Sequence, residues 1–426
     1  MKKGLSVSPA DAAEGHGSSS YRGLVLLMLL LVYTFNFIDR QILGILAVPV
    51  QAELGLSDTQ LGLLGGIAFA LLYSTAAIPL AWLADRTGRT WVITGSLAVW
   101  SGFTALCGLA GGFWSLFLCR LGVGVGEAGG VAPSFSLISD YFPSAQRARA
   151  LAIYSLGIPL GSALGVYFGG YIAANVDWRA AFIVVGLAGV ALAPLFRLIV
   201  RDPPRAAGAP DTMRLRGVLA ILSRKRSFWF LAFGAASSSI MGYGMAFWLP
   251  TLLQRSFGLD LEGTSLFFGT MLLLGGGVGV LLGGVIGDRV GRKDKKALAT
   301  VPAFCFLVAA PVFAGGILSD SLPLTFVLFT IPMALGYVWL APVIAAVQHL
   351  VPSQMRTTAT ASFLFINNLL GPGLGIYILG GLSDALLPVY GNDGLKYAMM
   401  GCLLFYVISA VMMLLGARSL DRDWVD

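Results

Sequence analysis

Four ionisable residues stand where ionisable residues are costly. Asp39 and Arg40 lie in YTFNFIDRQIL (residues 33–43), inside an apolar run from near Leu24 to near Val50, and Arg120 and Glu127 lie in CRLGVGVGEA (residues 119–128), inside another. A charge at membrane depth costs about 2.5–3.5 kcal/mol on insertion scales, so such residues face a bundle interior or a wet cavity and pair there. On helical spacing Tyr33, Asn36, Asp39 or Arg40, and Leu43 share one face, and Arg120, Gly124 and Glu127, at i, i+4 and i+7, share another. With the two helices running in opposite directions at a rise of about 1.5 Å per residue, Asp39 falls roughly 13–16 Å below the outer boundary, between Arg120 at about 9 Å and Glu127 at about 20 Å. The four charges can therefore occupy one site. They sum to zero, which a low dielectric tolerates, and the balance changes when a carboxylate takes a proton. This predicts Asp39 and Glu127 as a proton-binding pair and Arg40 and Arg120 as counter-charges that an anionic headgroup can claim; the alternative is a static network that locks two helices together.

The elements that must position these residues are membrane helices. The chain has 426 residues, 57% hydrophobic and 12% charged, with mean hydropathy +0.82. Apolar runs recur near 23–50, 60–84, 91–110, 113–138, 149–173, 178–199, 227–253, 265–287, 297–316, 322–348, 358–382 and 396–417. Each is long enough to span a bilayer as a helix, and none shows the period-2 alternation of barrel strands. The expected fold is an all-α polytopic membrane protein with twelve transmembrane helices. The net charge of +7 follows the topology and does not point to nucleic acid: 23 of the 28 Lys and Arg fall on one side, Arg179, Arg255 and Lys396 on the other, and Arg40 and Arg120 within the membrane. By the positive-inside rule both termini are cytoplasmic, and the chain is expected in the cell inner membrane. Cys107, Cys119, Cys305 and Cys402 all lie in spans and read as small packing residues. With His16 and His349 the only histidines, no metal site is expected, and no cofactor beyond protons as coupling ion.

Two internal matches divide the chain. Asp85, Arg86, Gly88 and Arg89 in AWLADRTGRT recur as Asp288, Arg289, Gly291 and Arg292 in GGVIGDRVGRK at an offset of 203 residues, and APSFSLISDYFPSAQRA (132–148) aligns on APVIAAVQHLVPSQMRT (341–357) at an offset of 209. Two ordered matches imply two pseudo-symmetric six-helix bundles of one origin. The expected division is a disordered cytoplasmic tail at 1–20, a bundle at 21–200, a cytoplasmic linker with Pro203 and Pro204 at 201–226, a second bundle at 227–418 and a tail at 419–426.

Twelve spans, two D-R-x-G-R turns and an Arg in the fourth span resemble the major facilitator superfamily over essentially the whole chain. FNFIDRQ, RLGVGVGEAGGVAPSFSLISDYFPSAQRARALAIY and GIPLGSALG further resemble the spinster branch, whose members move sphingosine-1-phosphate or lysophospholipids. The resemblance implies alternating access between the halves, with helices 1, 4, 7 and 10 lining the cavity. It also implies a cytoplasmic gate in which Asp85 with Arg89 clamps the inner ends of the halves when the protein opens outward, Asp288 with Arg292 is the mirror copy, and Asp140 and Arg147 nearby complete the ion network.

The second half has no acid at mid-membrane depth. Its polar groups are neutral: Ser237 to Ser239, Tyr243, Thr270, Trp339, Asn367 and Asn368. These are substrate-site candidates, each with the alternative of a satisfied interhelical hydrogen bond. GVGVGEAGG (122–130) lies within a span with no strand before it, which excludes a dinucleotide loop. Glycines at four-residue spacing, 157, 161, 165 and 169, then 275, 279, 283 and 287, are expected to let helices approach closely. The expected function is a proton-coupled carrier, acting as a monomer among membrane lipids, of an amphiphilic anionic lipid such as a lysophospholipid or sphingoid phosphate. The alternatives are a carrier of a small organic anion or drug and, from another class, a non-transporting receptor or enzyme, for which the spans carry no nucleophile with a His or metal-binding set.

Overall fold

The computed structural model describes residues 18–203, 215–289, 294–352 and 355–425. Among them the chain is helical and has no strand, with eleven stretches long and apolar enough to cross a membrane. The last, Thr358–Asp423, has 66 residues and reverses at Gly391 (φ 56°). A bilayer needs only about 20, so this stretch makes two passes and the spans number twelve, as expected. They are α1 (Ser19–Ile45, extended by Ala47–Leu54), α2 (Asp58–Ala84), α3 (Arg89–Cys107), α4 (Phe113–Tyr141), α5 (Arg149–Asn175), α6 (Trp178–Ile199), α7 (Arg226–Phe257), α8 (Leu261–Ile286), α9 (Ala297–Leu318), α10 (Leu322–Gln348), α11 (Arg356–Tyr390) and α12 (Gly394–Cys402 continuing as Leu404–Asp423).

Side-chain caps set several of the starts. Ser18 accepts from Tyr21 N, Ser57 and Gln60 form a capping box ahead of α2, Asp177 accepts from Ala180 N, and Asp260 accepts from Gly263 N. Gly55 (φ 63°) and Gly258 (φ 67°) end the first helix of each half in the left-handed region, where a Cβ would be strained.

The duplication is visible in irregular backbone. A π turn interrupts α2 at Leu63–Ile67 and another interrupts α8 at Leu272–Gly276, the same offset of 209 residues. Likewise α4 breaks at residues 128–130 and α10 at 338–339. A π turn leaves a carbonyl outside the regular ladder, free to bond elsewhere.

The glycine ladders are packing surfaces. A Cβ on Gly161 would sit 2.3 Å from Thr34 O, on Gly165 2.8 Å from Ile38, and on Gly157 3.0 Å from Tyr33, so α5 lies directly on α1. In the second half Gly279 and Gly283 bring α8 equally close to the carbonyls of Ala334 and Val338 on α10. The halves meet at the end away from the chain termini. There Gly66 of α2 faces Gly373 O of α11, Gly62 faces Ile376 O, and Tyr167 of α5 bonds Thr270 of α8 at 2.6 Å. At the opposite end hydrogen bonds among the described residues tie each half to itself, as in Tyr21 to Ile199 O and Val425 N to His349 O.

Candidate functional site

Seating α1 on the α5 glycines through Thr34, Ile38 and Ile42 turns Asn36, Asp39 and Arg40 toward α2 and α4. On α4, Gly126 and Gly129 allow the backbone to press against Trp100 and Ser96 of α3, and the helix unwinds immediately after Glu127. The result is a direct ion pair: Arg40 Nε donates to Glu127 Oε2 at 2.8 Å, and Glu127 is fully buried. The Arg40 guanidinium is also ringed by Phe37, Phe69 and Tyr73, with centroids at 5.0, 5.0 and 4.8 Å, an aromatic cage that holds a cation without neutralising it.

Asp39 and Arg120 are equally buried, at 1% and 2% exposure, but make no ion pair with each other. Asp39 lies beside Thr104 and within electrostatic reach of Glu127, Arg120 and Arg40. Its Oδ1 has no hydrogen-bond partner, and the same holds for Glu127 Oε1, Arg120 Nη1 and both amide atoms of Asn36. Arg120 Nε reaches Leu64 O at 3.4 Å, a carbonyl inside the π turn of α2. Buried polar groups are ordinarily satisfied. This cluster instead keeps several buried donors and acceptors that protein atoms leave open.

Tyr33 flanks the cluster, stacked on Tyr154 at 4.3 Å and edge-on to Phe37. From the second half Tyr243 faces Arg40, Tyr73 and Glu127. The other candidates there are taken up locally. Asn367 accepts from Ser239 Oγ at 2.8 Å, the interhelical bond kept open above as the alternative, and Trp339 packs edge-on against Phe363 within the second-half core. Asn368 is half-buried on α11.

The residues of the expected gate are described only in part. The side chains of Asp85 and Asp288, and the whole of Gly291 and Arg292, lie outside the described residues. Arg89 is buried and engages Asp140, donates from Nε to Asp202 Oδ1 at 3.0 Å and bonds Ser136 Oγ at 2.9 Å. Ser136 and Asp140 belong to the first half and Asp202 to the segment that directly follows α6, so here Arg89 braces α3, α4 and the chain leaving α6, and these bonds do not bridge the halves. Arg147 does not join the network either: its Nε donates to Phe142 O, satisfying a carbonyl left open where α4 ends. Arg86 stacks on Trp82 at 3.9 Å, Gly88 keeps an extended backbone beside Asp202, and Arg289 is exposed in the last turn before the mirror loop.

Several participants escape sequence reasoning. Phe69 and Tyr73 stack at i, i+4 on α2, a spacing that could have marked an aromatic face. Asp202 sits beyond the end of a span and reads as a solvated linker acid. The largest omission is a polar latch between the halves. Arg255 of α7 donates from both terminal nitrogens to Asp58 at 2.8 Å, Ser383 Oγ donates to the same carboxylate at 2.6 Å, and Asp384 accepts from Thr59 N at 2.8 Å and Thr59 Oγ1 at 2.6 Å. SDTQ at 57–60 carries the signal of a helix start, which places Asp58 in the first turn of a helix.

Residues 29–376 match the family model described as Major Facilitator Superfamily. An "MFS-type efflux pump" of Mycolicibacterium smegmatis is 33% identical over 96% of this chain and 93% of its own length. Human "Protein spinster homolog 1" is 30% identical over 94% of this chain and 81% of its own. Among solved structures, a bacterial homologue of the human lysosomal transporter spinster, in an inward-facing and unoccupied conformation, superposes with a TM-score of 0.88 at 29% identity, covering 96% of this chain and 100% of that one.

Proposed function

The chain belongs to the Major Facilitator Superfamily and is related to the spinster proteins, and from that premise we propose that it is a proton-coupled secondary transporter of an amphiphilic anionic lipid, a lysophospholipid or sphingoid phosphate. The observation that carries the reading is the buried quartet of Asp39, Arg40, Arg120 and Glu127, neutral in sum and rich in polar atoms without partners. A headgroup phosphate takes the guanidinium groups of Arg40 and Arg120. Phe37, Phe69, Tyr33 and Tyr73, with the second half, which has no acid at mid-membrane depth, accommodate the chain. Protonation of Glu127 removes the charge that holds Arg40, and Asp39 supplies a second carboxyl whose charge depends on the first.

Two bundles then rock about the site, in the alternating-access manner of such repeats. Residues 21–200 and 227–418 are the moving bodies, both termini are cytoplasmic in the inner membrane, and the D-R-x-G-R turns, with Arg89 held ready by Asp140 and Asp202, close the cytoplasmic side in the opposite state. The chain acts as a monomer.

The test is uptake of a fluorescent lysophospholipid into proteoliposomes under an imposed pH gradient. Asp39→Asn and Glu127→Gln are expected to lose gradient-driven uptake by at least about tenfold while the protein still inserts and purifies as a monomer. Asp39→Asn with unaltered pH dependence would refute the coupling role. A second reading, export of a drug or small organic anion, is favoured by the likeness to the mycobacterial efflux pump. It predicts that such compounds, and not lysophospholipids, compete for transport.

A further inference from the structure

Outside the central cluster the first half carries a second feature at its membrane surface, on the end that bears the chain termini. A polar pocket of about 560 Å³ opens between the start of α3 and the end of α6, lined by Thr87, Thr90, Trp91, Arg197, Arg201 and Asp202. It shares Thr87 and Trp91 with an apolar groove of about 380 Å³ that runs along α2, α3 and α4 past Leu80, Leu83, Gly95 and Val125. Both volumes lie in the range of small-molecule sites, about 300–1,000 Å³. Polar head and apolar tail are therefore continuous, in the order in which a lipid of that leaflet presents them.

The charges in the polar part are arranged for an anion. Asp202 is the only acid among the described lining residues, and it is already engaged by Arg89 and Thr90 N. Arg197 stacks on Trp91 at 4.6 Å, and its Nε is buried without a hydrogen-bond partner. Arg201 is exposed, its backbone held by Tyr21 and Tyr141. Trp91, 60% exposed, stands at the junction of head and tail, the position in which an indole ring anchors at a membrane interface. Basic pockets between helices at this depth bind anionic headgroups.

We propose that this composite site binds an anionic diacyl phospholipid of the surrounding leaflet, its phosphodiester on Arg197 and Arg201 and one acyl chain in the groove over Gly95. The site is separate from the central quartet and stands whatever the transported cargo is. Occupied, it ties α3 to the end of α6 beside Arg89, the residue that braces this end of the first half.

The experiment is native mass spectrometry of the purified full-length protein titrated with phosphatidylglycerol or phosphatidylcholine of matched chains. About 1 kcal/mol for each basic residue near the surface corresponds to a preference for the anionic lipid of about tenfold or more from two arginines. Arg197→Gln with Arg201→Gln is expected to reduce that preference below about twofold. Gly95→Phe tests the tail: a Cβ at Gly95 meets nothing within 4 Å, so the ring enters the groove without disturbing the bundle, and retention of both lipids should fall several-fold. An undiminished preference in the arginine variant, unchanged retention in Gly95→Phe, or displacement of the lipid by inorganic phosphate at equal concentration would each overturn the proposal. If the double variant fails to fold, Arg201→Gln alone, at an exposed position, gives the same test with about half the logarithmic effect.

Discussion

Breaking the latch at Arg255 should open the end of the protein that is closed in this structure. Asp58, 4% exposed, receives two charge-assisted bonds from Arg255, one from Ser383 and one from Gln51. Only the first two residues of that set reach across from the second half, so the bridge rests on Arg255 and Ser383, with Asp384 on Thr59 as its neighbour. Removing one partner of a buried pair costs about 3–5 kcal/mol, because the remaining charge is stranded. The Arg255 side chain is 22% exposed, so water offsets part of this, leaving about 2–3 kcal/mol. The penalty applies only while the halves are closed, since parting them hydrates Asp58. At 1.4 kcal/mol per decade, Arg255→Gln should shift the ratio of closed to open by roughly 30- to 140-fold.

The readout is the distance distribution between spin labels at Val176→Cys and Val389→Cys, at the ends of α5 and α11, in a background without the native cysteines. Both sites are strongly exposed, at 70% and 73%. A longer distance should appear in Arg255→Gln and recede when the pair is reversed as Asp58→Arg with Arg255→Asp. Distributions unchanged in both Arg255→Gln and Asp384→Asn would refute the reasoning, for then closure rests on the glycine contacts between α2 and α11 alone.

Two further perturbations probe the frame. Gly161→Ala places a Cβ 2.3 Å from Thr34 O and should lower stability by about 1–3 kcal/mol, whereas Gly102→Ala, with nothing within 4 Å, should be neutral or slightly stabilising in a thermal-shift assay. Glu53 is held below the usual carboxylate range by hydrogen bonds from Arg179 and Trp178. Because its folded value is the lower one, its contribution is present above the unfolded value of about 4.3 and lost as pH falls through the folded value. The melting difference between wild type and Glu53→Gln should therefore be visible at neutral pH and close in acid.

What the residues themselves disclosed was mostly what hydrophobicity and repetition encode. Twelve spans, the duplicated turns and the depth of Asp39, Arg120 and Glu127 follow from run length and rise per residue. Side-chain pairing was less legible. Asp39 and Arg40 are adjacent, about 100° apart around the helix, and periodicity alone could not say which of them meets Glu127; the α5 glycines decide it by fixing the rotation of α1. The π turns at Leu63–Ile67 and Leu272–Gly276 each contain a Gly-Gly pair, but with 55 glycines spread through the chain such a pair does not single them out, and their flanking residues keep helical dihedrals. Asp58, Arg255 and Asp202 lie near helix ends, where a charge carries no information about a partner 113 or 197 residues away.

The two halves share backbone devices but not chemistry, and the positions where they diverge are informative. Under the offset of 203 that relates Gly55 to Gly258, Asp39 corresponds to Gly242 and Arg40 to Tyr243; under the offset of 209 that relates the π turns, Arg120 corresponds to Phe329 and Glu127 to Gly336. Every member of the quartet is thus matched by an uncharged residue. Residues related by a pseudo-twofold axis come together when they lie near that axis, and Tyr243 does face Arg40 across the halves. On the proposed reading this pairing gives Arg40 two alternatives, Glu127 within its own half and the Tyr243 side of the cavity. Protonating Glu127 weakens the first without touching the second. A charge change confined to one bundle then alters its hold on the other, which a symmetric pair of charged sites, each compensating its twin, would not do.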